Sequence, residues 1–323
     1  MIHQDIKKIL SSEDEKISTR EAYGMKLAEL GEIDKNIVVL DCDLSKSTRT
    51  AIFAKKFPER FFNFGLAEAN MMSAAAGLAT MGKIPFASTF GVFATKRACD
   101  QVSISIAYPR LNVKICATHT GISVGEDGAT HQAIEDAAIM RSFPNMVVIS
   151  PADGTETRKV IDEIYKYNGP CYVRLCRGNS PVLFNDNYEF KIGRGVKIMD
   201  GDKATLISAG FTTSITLEAA KTLEEEGIEV DMINMASIKP IDSEMIVESA
   251  KKTGLVITVE DHNVIGGLGS AVCEVLSENY PVRVIRLGVK DKFGSSGSPA
   301  ELIKAYGFDK DSIVKTVREN IPA

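Results

Sequence analysis

Glu68 is the only charge in the run Phe64–Ala79, where a strand-like stretch turns through Gly65 into an apolar, alanine-rich segment. Two readings of that carboxylate are open. In the first turn of a helix it is stabilised by the positive end of the macrodipole and needs no other role. In a helix that is apolar on nearly every face it is drawn out of water instead. A carboxyl whose pKa is raised by burial is suited to holding and passing a proton. A second concentration of chemistry lies between Ala117 and Gln132, with His119, Glu126, Asp127 and His131 among three glycines. A loop that follows a buried strand presents such groups at the mouth of a sheet. The two histidines are too far apart for a one-turn metal pair and no cysteine joins them, so no metal is assigned to this chain. Without further context they read as two solvated loop histidines.

The elements that must position these groups follow from hydrophobic period. Short apolar runs rich in β-branched residues occur at 37–40, 61–64, 84–87, 113–117, 146–149 and 171–175. They alternate with helix-period segments near 19–32, 68–81, 94–108, 132–141 and 154–167. Alternation of this kind predicts a parallel sheet with helices on both faces, and ligands gather beyond the carboxyl ends of such strands. Ser18-Thr19-Arg20-Glu21 reads as a capped helix start, which leaves Arg20 open to being a first-turn surface residue. Near 179–195 the periodicity is interrupted, and a second α/β unit follows. Its strands are expected at 204–208, 230–234, 255–259 and 282–285, and its helices near 213–226, 242–253 and 266–279. The fold class is therefore α/β with two domains, at 1–185 and 193–323, the second smaller. Gly266-Gly267-Leu268-Gly269 lacks the lysine of a phosphate loop and reads as a glycine-rich helix start.

Gly65-Leu66-Ala67-Glu68-Ala69-Asn70-Met71 resembles the segment of thiamine-diphosphate enzymes whose glutamate hydrogen-bonds the cofactor's aminopyrimidine, and the chain is similar to the C-terminal section of a transketolase. The resemblance implies a pyrimidine-binding domain followed by a transketolase C-terminal domain. It gives Glu68 the task of holding a proton on the pyrimidine ring nitrogen opposite the exocyclic amine. It makes Phe90 and Phe93 the wall on which that ring stacks, and it places Asp43 and Leu44 beside the thiazolium.

In the 117–132 stretch, His119, Asp127 and His131 stand at that family's spacing. The resemblance implies that Asp127 bonds the donor's C2 hydroxyl, that His131 contacts the donor near the reacting centre, and that His119 lies by a substrate phosphate. Arg20, Ser47 and Arg177 match the rest of the phosphate site, a set suited to a sugar-phosphate dianion. Glu260-Asp261-His262 resembles a position whose role in the family is mainly architectural, and 292–297 also matches. Departures occur at Lys96, in place of a further aromatic, at Thr120, in place of an aspartate, and at Ala67, in place of a residue that is often basic.

The Gly-Asp-Gly motif that holds the diphosphate's metal in these enzymes does not occur in the sequence. The expectation is that Mg2+ or Ca2+ is bound by a partner, an N-terminal subunit with the diphosphate-binding domain, in an α2β2 assembly. The expected reaction moves a two-carbon ketol unit between sugar phosphates such as xylulose 5-phosphate and ribose 5-phosphate. Two alternatives are a deoxyxylulose-phosphate synthase relative and a non-catalytic partner subunit.

Composition sets the remaining limits. A net charge of −5 with scattered Lys and Arg offers no basic stripe for nucleic acid. No run approaches the roughly 20 apolar residues that span a bilayer. The start at 1–8 is polar and lacks a signal-peptide core, so a cytoplasmic location is expected. Six cysteines without a C-x-x-C pair predict buried, reduced thiols.

Overall fold

The computed structural model describes residues 16–321, so the polar start at 1–8 lies outside the described residues. In the first domain the strands are β1 (Lys16–Ser18), β2 (Ile37–Asp41), β3 (Phe61–Asn63), β4 (Ile84–Ser88), β5 (Lys114–Ala117), β6 (Val147–Ile149), β7 (Cys171–Arg174) and β8 (Asn179–Pro181). In the second they are β9 (Val196–Met199), β10 (Thr205–Ser208), β11 (Asp231–Asn234), β12 (Ser237–Lys239), β13 (Leu255–Asn263) and β14 (Arg283–Val289). The first sheet runs β12-β6-β7-β5-β4-β2-β3 and is parallel except for β12. The second runs β14-β13-β10-β11-β9, with only β9 antiparallel. β1 and β8 form a separate antiparallel ribbon that ties the start of the first domain to its end.

Period-2 burial explains the layers. In β2, Ile37 and Val39 face one core with Tyr23, Leu27 and Leu30 of α1 (Thr19–Ile33). Val38 and Leu40 face the other core, with Met71, Met72 and Ala75. Every residue of β2 is buried, as in a sheet covered on both faces. Both cores continue into the second domain, one through Leu206, Leu223 and Phe308, the other through Ile207, Val256 and Val272.

After α1 come two short helices, α2 (Ser45–Thr48) and α3 (Ala51–Lys56), and then α4 (Glu68–Thr80). The serine cap of α1 forms as expected, Ser18 Oγ accepting from Glu21 N. α4 departs from expectation. Glu68, Met71, Met72, Ala75 and Ala76 are buried, but Asn70, Ser73, Gly77 and Thr80 face outward, so the helix has one open side. The alanines that make it apolar also leave it slender.

The segment expected as one helix over 94–108 instead contains two π-helical stretches, Phe93–Arg97 and Gln101–Ala107. Wide turns of this kind are rare and recur at functional sites. The helix expected from 132 begins only at Asp136, as α5 (Asp136–Ser142), because Gln132 is drawn into contacts with the preceding loop. α6 (Gly154–Lys166) completes the first domain, and α7 (Thr212–Glu225), α8 (Ser243–Thr253), α9 (Leu268–Asn279), α10 (Pro299–Ala305) and α11 (Lys310–Asn320) build the second.

The glycine-rich stretch before α9 is a helix start. Glu260 accepts from Leu268 N at 2.7 Å and Gly269 N at 2.9 Å, so its carboxylate occupies the donors a phosphate would use. Among the described residues no helix is long and apolar enough to cross a membrane. All six cysteines are free thiols, with Cys42, Cys116, Cys171 and Cys176 buried and Cys99 and Cys273 partly so.

Candidate functional site

Five neighbouring strands of the first sheet deliver the candidate residues at their carboxyl ends. β2 leads into the Asp43–Ser47 loop, β3 into the Glu68 turn, β4 into Phe90, β5 into His119 and β7 into Arg177. The loop after β2 is built around Asp41, which the sequence reading passed over. Its buried carboxylate accepts from Leu44 N at 2.7 Å, Thr48 Oγ1 at 2.7 Å and Thr50 Oγ1 at 2.9 Å. Burial raises its pKa, and those three bonds oppose the shift. Asp43 adopts a left-handed φ of 61° at the turn. Asn63 Oδ1 accepts from both Asp43 N and Gly65 N at 3.0 Å, which ties this loop to the turn that carries Glu68.

Glu68 opens α4 with its carboxylate only 3% exposed. Its Oε1 lies 3.0 Å from Arg97 Nη1, and the Arg97 guanidinium sits 3.9 Å over the Phe93 ring. Arg97 was not singled out from the sequence. The available signal was its place one helical turn beyond Phe93 in a segment that begins with aromatics. Phe90 and Phe93 stack with ring centroids 5.7 Å apart, and Leu44 packs against the small apolar cluster they form with Val92 and Ala133.

The same aromatic pair meets both histidines. The His119 ring stacks on Phe90 at 3.8 Å, and His131 stands edge-on to Phe93 at 5.5 Å. Burial, followed by the positive charges of Arg20 and Arg177, pushes the His119 imidazole down to about 3. It is therefore neutral near pH 7. The Thr118 hydroxyl lies 2.9 Å from its Nδ1; when that hydroxyl donates, the ring hydrogen resides on Nε2 as a donor for an anion.

Arg20 is half-buried, with Nη1 donating to the Ser47 carbonyl at 2.8 Å, so it is more than a first-turn surface residue. Burial and the charges of Arg49 and Arg177 lower its pKa. Arg177 donates to Val124 O at 2.6 Å and to Glu126 Oε2 at 3.1 Å, with Asp127 Oδ1 at 3.7 Å. The structure thus groups Arg20, Ser47, His119 and Arg177 on one side and Glu68, Phe90 and Phe93 on the other. Asp127 stands beside Arg177, and His131 stands beside the two phenylalanines. What this can do chemically is hold an anion with two permanent cations and a neutral donor, next to a carboxylate set against flat apolar rings.

Residues 15–182 match the family described as "Transketolase, pyrimidine binding domain", and residues 193–313 match "Transketolase, C-terminal domain". The chain belongs to the transketolase family. A protein of Methanocaldococcus jannaschii described as a transketolase C-terminal section is 51% identical over 305 residues, covering 94% of this chain and 96% of its own. Human transketolase is 39% identical over 308 residues, and the match takes in 94% of this chain but only 49% of the human one. Among solved structures, a split gene transketolase described as an inactive beta4 tetramer is 54% identical, with a TM-score of 0.88 over 94% of this chain and 98% of that chain. A transketolase-type transferase is the coarse assignment, and the expected α/β fold with pyrimidine-binding and C-terminal transketolase domains holds.

Proposed function

We infer that this chain is the C-terminal subunit of a split transketolase, which transfers a two-carbon ketol unit from a ketose phosphate to an aldose phosphate with thiamine diphosphate as cofactor. The observation that carries the reading is the meeting, at one mouth of the sheet, of a buried carboxylate beside a stacked aromatic pair with two arginines around a neutral imidazole. The relatives described above are all transketolases, which favours this over a deoxyxylulose-phosphate synthase relative or a non-catalytic partner.

The residues present fit an aminopyrimidine. Glu68 is kept from water at the helix start, and Phe90, Phe93 and Leu44 supply flat and apolar surface beside it. Thiamine diphosphate, when bound, supplies the nucleophilic carbon and the electron sink for cleaving the bond between C2 and C3 of the ketose. Glu68 would hold the proton on the ring nitrogen opposite the exocyclic amine. Asp43 and Leu44 would line the adjoining edge. Asp127 would orient the donor through its C2 hydroxyl and His131 would lie by the reacting centre. Arg20, Ser47, His119 and Arg177 would hold the phosphate, with the charge coming from the arginines and His119 acting as a neutral donor.

The metal, Mg2+ or Ca2+, and the diphosphate are assigned to an N-terminal subunit in an α2β2 assembly. The open side of α4 supports this, because Leu66 before the helix and Met81 after it are exposed, as are Ile104 and Tyr108 of the segment packed against it. The neighbour described as an inactive beta4 tetramer is in keeping with β chains that need a different partner for activity. Free thiols, four of them buried, suit a reducing cytoplasm. The test is calorimetry with thiamine diphosphate and magnesium, together with a ketol-transfer assay, on this chain alone and then on the co-expressed pair. Tight binding and turnover are expected only for the pair. Both from the isolated chain would overturn the split-enzyme reading.

A further inference from the structure

The Glu260-Asp261-His262 stretch does more than support its own domain. It lies at the carboxyl end of β13, where the pairing with β14 shifts register between Val259 and Asn263, an irregularity that re-aims side chains. Glu260 caps α9 within the second domain, as described above. Asp261, one residue on, points the other way and crosses to the first domain. Its Oδ1 accepts from Ile122 N at 2.8 Å and its Oδ2 from Ser123 N at 3.2 Å. These amides follow Gly121, whose φ of +78° belongs to the left-handed region, and a Cβ there would come within 2.1 Å of the Asp261 carboxyl. A side chain at residue 121 would therefore collide with the carboxylate.

Asp261 is itself held firmly. Arg174 of β7 donates to its carbonyl at 3.1 Å while pairing with the buried Asp136 carboxylate at 2.7 and 3.0 Å. The far end of the same loop is gripped by another part of the second domain. Gln132 Nε2 donates to Ser295 O at 2.9 Å and to Gly125 O at 3.2 Å, and a Cβ on Gly128 would meet Ser296 Oγ at 2.6 Å. The loop from His119 to Gln132 is thus fastened at both ends by side chain and backbone from the second domain.

We propose that Asp261 is a positioning residue for the sugar-phosphate site: by accepting from Ile122 and Ser123 it sets the backbone on which His119 and Asp127 are presented to the substrate. This rests on the reading of the loop as the substrate loop. An ionised carboxylate suits the task because it accepts from two adjacent amides at once, whereas an asparagine would turn an N–H toward one of them.

The test is Asp261→Asn in the co-expressed pair, with two readouts. In hydrogen-exchange mass spectrometry of peptides covering 118–132, exchange at Ile122 and Ser123 should be at least roughly tenfold faster in the variant, with other peptides unchanged. In the ketol-transfer assay KM for the phosphorylated ketose should rise by roughly tenfold or more. Combining the change with His119→Ala should add less than about twofold to the loss from His119→Ala alone. Wild-type exchange at 118–132, a rise in exchange throughout both domains, or full additivity with His119→Ala would each overturn the proposal. A wild-type pair without ketol transfer would instead sink the functional reading, and the exchange result would still decide whether Asp261 holds the loop.

Discussion

Arg97 and Glu68 form an ion pair at 3.0 Å in which the carboxylate is buried and the guanidinium is about half exposed. The pair therefore brings together the end of a π-helical turn and the first residue of α4. Solvent screening of the exposed arginine limits what the pair contributes, but burial of the carboxylate makes loss of its cation cost more than at a surface pair. A variant at each partner separates the ion pair from the proton that Glu68 would hold. In the reconstituted pair Glu68→Gln should keep the fold and lose roughly 10²–10⁴-fold in turnover. Arg97→Ala, which breaks the same contact, should retain most of it. Steady-state kinetics on both variants check this, and equal losses would show that the ion pair, not the carboxyl, is what the reaction needs.

Arg177 donates to Val124 O, and the proposed function also gives it the phosphate of the substrate. Arg177→Ala is expected to raise KM for phosphorylated ketoses by roughly 10- to 100-fold, the worth of a charge-assisted hydrogen bond. An unphosphorylated ketose should be far less affected. KM measured side by side on the two substrates decides, and equal rises would assign Arg177 to the loop alone.

His119 gives a pH dependence with a definite sign. Its folded pKa of about 3 lies below the ordinary value of 6.5, so between those limits the unfolded chain takes up a proton that the folded chain refuses. Stability contributed at this site is present above the unfolded pKa and falls as pH drops below it. His119→Gln removes the titration. Whatever the variant costs at pH 7.5, its melting temperature relative to wild type should improve as pH falls to 5, by an amount equivalent to about 1–2 kcal/mol. Thermal melts at the two pH values provide the check, and a constant difference would refute a neutral, buried His119.

The strands and most residues of the candidate site were legible in sequence because both follow local patterns. Buried β-branched runs announce parallel strands, and the Glu68 turn and the 117–132 loop carry their residues contiguously. Residues whose role depends on a distant partner were not legible. Arg97 gains meaning only when a π-helical turn sets it against Glu68, 29 positions away. Asn63 looks like a strand end until its side chain is seen joining two loops. Asp261 sits in a stretch whose family role is mainly architectural, yet it bonds residues 138 and 139 positions earlier. β12 and β9 carry lysine within short runs and join their sheets antiparallel at an edge, a pairing fixed by the strand they meet and not by their own composition.

β12 has one more consequence. It leaves the second domain to pair antiparallel with β6, Ser237 opposite Ile149, and so forms the last strand of the first domain's sheet. A chain severed in the link between the domains would strip that strand away and leave the β6 edge bare, an invitation to mispairing. The two domains are therefore separable in description but not in handling. Truncation to the first domain alone should favour aggregation through the bared β6 edge, and an exchange of modules with relatives keeps that edge covered only when both domains move together.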